Sequence, residues 1–219
     1  MTDETDVRTQ VVAAAQAMAA AGLVVGTAGN VSGRDGDGTI WLTPSSLPYD
    51  QVTETNLAAV DENGNLVPDT GRPSTEKAMH LACYRAFPEV GGVVHCHPVH
   101  ASMFAVTHQP IPAVIEEVIV YLGGDVPVAD YRPTGSDELG AEVVRHLAER
   151  SGVLMANHGM LCVGRSPDHA LHAAMVAEHT ARIMWGARRL ADPVDLPEKA
   201  RTDFAAAYAY LRHQTWVAG

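Results

Sequence analysis

Three histidines and one glutamate carry most of the chemistry legible in this chain. His95 and His97 lie in Gly92–His97 (GVVHCH), a run whose β-branched residues read as a buried strand. Side chains two apart leave a strand on one face, so both imidazoles point one way and Cys96 points the other. Paired imidazoles are either two corners of a site for a zinc-, iron- or manganese-class ion or two ordinary core histidines. His158, in Asn157-His158-Gly159 at the end of a second predicted strand, either adds a third corner or caps a turn. Three imidazoles with one open position would make a catalytic zinc arrangement.

Glu76 is the fourth candidate. It closes Arg72-Pro73-Ser74-Thr75-Glu76 at the start of a predicted helix. A helix-start acid is favoured by the macrodipole, which explains it without any chemistry. The same helix start also offers free N–H groups and the hydroxyls of Ser74 and Thr75 to an anion. Glu76 would then stand between that anion and a metal, and His80, one turn further on, reads as structural support. Gly29-Asn30-Val31-Ser32 and Ser45-Ser46 combine small residues with polar donors, which permits close approach of a phosphate. Turn formation explains each of those segments when taken alone.

The elements that must position these groups alternate. Val7, Val11, Ala14, Ala15 and Met18 fall at helical spacing, with Gly22 as the stop. Residues 26–38 are too rich in Gly, Asn and Asp to be regular throughout. Thr39–Thr43 reads as a short strand, and Asn63-Gly64 as the turn of a hairpin-like piece. Helices are expected over 75–87, 99–107, 136–150, 166–190 and 197–212, and strands over 92–97 and 152–156, with 161–163 continuing beyond the turn. This pattern fits an α/β or α+β layered class.

A length of 219 residues suits one domain, 1–219. With 47 % hydrophobic and 19 % charged residues the chain can build a core, which argues against disorder. A formal net charge of −11 argues against nucleic acid and against an anionic membrane surface as partners. No apolar run approaches the roughly 20 residues of a membrane span. The acidic start MTDETDVRTQ does not read as a secretory signal. Cys83, Cys96 and Cys162 read as reduced core residues, so a cytoplasmic protein is expected.

Taken together, Gly26–Ser32, Thr43–Ser46, Arg72–Glu76, His95–His100 and Asn157–Gly159 resemble the class II aldolase/adducin family, in its order and spacing, over nearly the whole chain. The likeness is greatest to the ketose-1-phosphate-cleaving members. It implies a three-layer α/β/α fold with a mainly antiparallel central sheet, and a homotetramer with active sites between subunits. It implies a divalent metal, usually zinc, with manganese another candidate, on His95, His97 and His158. Glu76 would be the mobile fourth ligand and acid/base. Gly29, Asn30, Ser45, Ser46, Ser74 and Thr75 would hold the phosphate of a small sugar of the L-fuculose 1-phosphate or 5-deoxypentulose 1-phosphate type. Cleavage of C3–C4 would give dihydroxyacetone phosphate and a short aldehyde.

The chain departs from the family pattern in two places. The family aldolases carry a tyrosine proton donor before the Gly-Gly pair; in Val114–Gly124 that position falls on Glu117. Either Glu117 takes over proton transfer, or Tyr121 or a neighbour substitutes, or the acceptor aldehyde differs. Two adjacent glutamates in an apolar, strand-like stretch either have a role or face solvent on a bulge. Ser45-Ser46 also replaces the usual Thr-Gly, and a C-terminal family tyrosine could match Tyr208 or Tyr210. Other activities on this scaffold are pentulose-5-phosphate 4-epimerase, sugar-acid phosphate decarboxylase and methylthioribulose-1-phosphate dehydratase. The epimerases usually carry Asp where Glu76 stands. An adducin-like binding module is the non-enzymatic alternative, and that branch lacks the intact metal set.

Overall fold

The structure is a computed structural model and describes residues 6–215, so the acidic start at 1–5 lies outside it. Helix α1 (Val7–Ala20) is capped by Asp6, whose carboxylate accepts from Arg8 N, and buries Val11, Ala14, Ala15 and Met18. Strands β1 (Asn30–Arg34), β2 (Ile40–Leu42) and β3 (Ala58–Val60) follow, then α2 (Lys77–Ala86), β4 (Gly92–Cys96) and α3 (Val99–Val106). Next come α4 (Glu116–Leu122), β5 (Val128–Ala129), α5 (Asp137–Leu147), β6 (Gly152–Met155) and β7 (Gly159–Gly164). Helices α6 (Pro167–Ala187) and α7 (Glu198–Thr215) complete the chain order. Ser136 and Ser166 cap α5 and α6 through their side chains, and Pro167 fills the first turn of α6.

The strands form one seven-stranded sheet in the order β3-β2-β1-β4-β7-β6-β5. Every pairing is antiparallel except β5 with β6. The alternation along β4 assigns its two faces. Val94 and Cys96 join the core formed with α1, α3, α4 and α6, whereas Val93 joins the core formed with α2 and α5. Helices thus cover both faces, giving the expected three-layer α/β/α fold with a mainly antiparallel sheet. His95 follows Val93 on the α2 face, and Cys96 points into the opposite layer.

Residues 26–38 are, as expected, not regular throughout, but β1 runs through their centre, paired on both sides and buried from Asn30 to Gly33. Gly33 reads as loop chemistry in sequence, yet a Cβ there would lie 2.5 Å from Val7 Cγ2, so the glycine serves close packing under α1. The Val114–Gly124 stretch is helix α4, not a strand. Glu116 and Glu117 occupy its first turn, where the helix dipole favours acids, and Gly123 ends it at φ 86°. Strands β3 and β5 hold only 3 and 2 residues, too few for a period to register.

Candidate active site

Register sets the first part of the site. Asn30 of β1 lies directly opposite His95 of β4. His95 is fully buried, and its Nδ1–H donates to the Met160 carbonyl at 2.9 Å. In a neutral ring that bond leaves on Nε2 the lone pair that a metal would take. His97 Nε2 stands 2.9 Å from it. The rings of His95, His97 and His158 have centroid separations of 4.7, 4.8 and 5.2 Å and meet edge to face. One ligand atom from each lies within 4.8 Å of the others.

The turn between β6 and β7 delivers the third ring. Asn157 takes a left-handed conformation at φ 56°, and its Oδ1 is 2.7 Å from His108 Nε2. Gly159 is required by space: a Cβ there would sit 2.4 Å from His97 Cδ2 and 2.7 Å from the Cys96 carbonyl. His158 is therefore turned inward against His97, and its Nε2 lies 3.2 Å from Glu76 Oε1.

Glu76 occupies the N-cap position of α2, yet its side chain makes no capping hydrogen bond. The carboxylate turns instead to the imidazoles, with Oε2 3.2 Å from His95 Nε2 and accepting from Asn30 Nδ2 at 3.0 Å. Burial pushes its pKa up, but the contacts with His158 and His95 outweigh burial and hold the carboxyl well below the usual range. His97 moves the other way from a histidine's ordinary value. Burial, with His95 and His158 beside it, pulls it down to about 4 against the opposing pull of Glu76, so the ring is neutral near pH 7.

These groups fit a divalent cation. Two imidazole nitrogens meet at hydrogen-bond distance and a third ring closes on them. His158 Nδ1 is buried without a hydrogen-bond partner, and Glu76 Oε1 has only the 3.2 Å ion-pair contact with His158 Nε2. A buried carboxylate oxygen in that state is costly unless positive charge compensates it. His95, His97 and His158 would hold the ion, with Glu76 within reach as a fourth ligand.

A cavity of about 240 Å³ opens beside the rings. Gly29, Asn30, Ser45, Ser46, Ser74 and Thr75 all line it, together with Glu76, His97 and His158. None of its lining residues is a lysine or arginine, so an anion there would rely on amides, hydroxyls and the helix start. Ser46 holds φ at 61°, with its Oγ 3.4 Å from that of Ser45. Gly29 combines φ 80° with a close approach: a Cβ would meet the His95 carbonyl at 2.6 Å. Sequence reasoning missed Thr27 and Thr134, which also line the cavity. The Pro133-Thr134-Gly135 turn was the available signal, and Gly135 packs on the Thr75 carbonyl.

Glu117 and Tyr121 are not brought to this cavity within the chain. Glu117 is exposed on the first turn of α4, and Tyr121 lines a separate cavity where its ring packs edge-on against His172 at 4.4 Å. Tyr208 is locked in the core by a 2.6 Å contact with Ser151 Oγ, and Tyr210 is exposed. His80 is buried, with its Nε2 2.5 Å from Asn30 Oδ1.

Comparison with known proteins identifies the family. The profile of the "Class II Aldolase and Adducin N-terminal domain" family matches residues 9–185. L-fuculose phosphate aldolase of Escherichia coli K12 is 34 % identical over 174 residues, 79 % of this chain and 80 % of that protein. L-ribulose-5-phosphate 4-epimerase of Salmonella typhi is 34 % identical over 189 residues, covering 80 % and 83 %. A solved structure of L-fuculose 1-phosphate aldolase superposes with a TM-score of 0.87 at 29 % identity, covering 94 % of this chain and 97 % of that one. The family profile spans most of the chain and the relatives are 34 % identical over about four-fifths of it, so the chain belongs to the class II aldolase and adducin N-terminal domain family.

Proposed function

We propose that the protein is a metal-dependent aldehyde-lyase that cleaves a ketose 1-phosphate to dihydroxyacetone phosphate and a short aldehyde. The observation that carries this reading is the placement of Glu76. Its carboxylate faces the converging imidazoles on one side and a hydroxyl-lined cavity at the start of α2 on the other. A zinc-class ion, when bound by His95, His97 and His158, supplies Lewis acidity at the carbonyl side of the C3–C4 bond.

The chain's own groups do the rest. Asn30, Ser45, Ser46, Ser74 and Thr75, with the backbone at Gly29, hold the phosphate and fix the register of the substrate. Binding energy remote from the reacting bond is thereby used to orient it. Glu76 moves the proton at C3: its carboxyl form delivers one as the electrons of the broken bond settle there, and its carboxylate removes one in the synthetic direction. The C4 hydroxyl must lose a proton as the aldehyde forms. We assign that transfer to Glu117 or Tyr121 of a second copy in a homotetramer, a reading supported by the exposure of Glu117 on α4.

A second reading is favoured by the epimerase relative: the same cavity could take a pentulose 5-phosphate and invert C4. Glu76 in place of the usual Asp weighs toward cleavage. One experiment decides between them. Phosphorylated ketoses are assayed for dihydroxyacetone phosphate with a coupled reductase, with and without chelator, and L-ribulose 5-phosphate is followed for its C4 epimer. Chelator-sensitive triose release supports the lyase; epimer without triose replaces it.

A further inference from the structure

We propose that His80, backed by Ser32 and Tyr84, is a positioning residue that fixes the amide of Asn30 and, through it, ties Glu76 to Ser74. The proposal rests on the reading of Glu76 as the acid/base.

His80 is fully buried on α2, one turn after Glu76, and touches neither the cavity nor the three rings by any hydrogen bond. Its two nitrogens are both engaged. Nδ1 lies 2.7 Å from Ser32 Oγ, and Ser32 Oγ lies 2.8 Å from the Tyr84 hydroxyl. Nε2 lies 2.5 Å from Asn30 Oδ1. On its other side Asn30 Nδ2 donates to Glu76 Oε2 at 3.0 Å and to Ser74 Oγ at 3.1 Å.

The donor and acceptor roles then follow in one direction. Asn30 Oδ1 only accepts, so His80 Nε2 carries the proton. His80 Nδ1 must accept, so Ser32 donates to it. Ser32 in turn accepts from Tyr84 O–H. Turning the Asn30 amide over would set its oxygen against the Glu76 carboxylate and its NH₂ against the His80 N–H. Imidazole tautomer and amide orientation are therefore a single choice. The sheet makes the arrangement possible, because Asn30 and Ser32 are two apart on β1 and share the face that looks at α2. All four buried partners have relative exposures of 4 % or less, where a fully satisfied polar chain holds one geometry firmly.

A purely structural role would satisfy the buried imidazole and leave chemistry and phosphate binding alone. A positioning role predicts that both depend on the tautomer. The test uses the metal-loaded full chain with 15N-labelled histidine. In the wild type, the His80 resonances should report one tautomer, with the proton on Nε2. In Ser32→Ala, which removes the donor to Nδ1, the tautomers should mix. Turnover should then fall about tenfold, as for outer partners of a site, and inorganic phosphate should bind several-fold more weakly by calorimetry. Tyr84→Phe should show the same changes in smaller measure, and serves if Ser32→Ala does not fold. A wild-type proton on Nδ1 overturns the proposal. So does a tautomer change without loss of turnover and phosphate affinity, or their loss without a tautomer change. If no tested sugar is turned over, the lyase reading fails, while the tautomer and phosphate measurements still decide the role of His80.

Discussion

Asn30 and His95 face each other across the β1–β4 register, and both reach the same oxygen of Glu76, at 3.0 Å and 3.2 Å. A strand pairing thus delivers an amide donor and a metal-class imidazole to one carboxylate from neighbouring strands. Glu76 stands at the helix start that closes the cavity, so one side chain joins the sheet, the helix and the space where substrate would sit.

That position makes Glu76→Gln the sharpest probe of proton transfer. The amide keeps the size of the carboxylate but neither holds nor releases a proton in the working range. Turnover should fall by about 10²–10⁴-fold, while inorganic phosphate still binds within a few-fold of wild type. Wild-type turnover would remove Glu76 from its role.

Ser46 should show a trade between stability and binding. Its φ of 61° is costly for a residue with a Cβ. Ser46→Gly relieves that strain, offset in part by the larger unfolded-state entropy of glycine, so a gain of about 0.5–1 kcal/mol is expected in denaturant unfolding. Phosphate should bind more weakly because a hydroxyl is lost from the cavity. Unchanged affinity would show that Ser46 only makes the turn.

His80 should leave a mark on the pH dependence of stability. Burial, reinforced by His95, pulls its pKa down to about 3 against the pull of Glu76, from an ordinary 6.5. The folded state keeps this ring neutral while the unfolded chain takes up a proton. Its contribution is therefore complete above pH 6.5 and is lost as pH falls toward the folded value. In metal-free protein, the slope of unfolding free energy between about pH 6 and about pH 4 should exceed that of His80→Gln by up to ~1.4 kcal/mol per pH unit. Equal slopes would mean that His80 titrates normally in the fold.

Glu117 is tested by complementation. Glu117→Gln and Glu76→Gln should each be nearly inactive alone. If active sites span subunits, coexpressed variants assemble some sites carrying both intact carboxylates, and activity returns. No recovery in mixed oligomers, or full turnover in Glu117→Gln alone, would contradict its assignment to a neighbouring copy.

The metal-class cluster was legible because its clues are local. His95 and His97 stand two apart on a strand, His158 precedes a glycine at a strand end, and Glu76 follows Ser-Thr at a helix start. The fold around it was less so. The glycine and asparagine of β1 imitate a loop, since Gly33 answers to Val7 of α1, which lies elsewhere in the sequence. Helix α4 was hidden by Val114, Ile115, Val118, Ile119 and Val120, whose branched side chains favour strands; the cap at Gly123 and the acidic first turn decided otherwise. The Tyr84–Ser32–His80–Asn30 chain links residues about fifty positions apart, and no window of sequence displays it.

The most direct measurement is the metal content of the purified full chain by elemental mass spectrometry, paired with His97→Ala. A metal centre on His95, His97 and His158 predicts about one zinc-class ion per chain in the wild type, restored after chelation by adding the ion back. His97→Ala, still folded, should lose the ion and the activity together. A wild-type protein that holds no stoichiometric ion and cannot be loaded with one, or a His97→Ala variant that keeps its ion, would contradict it.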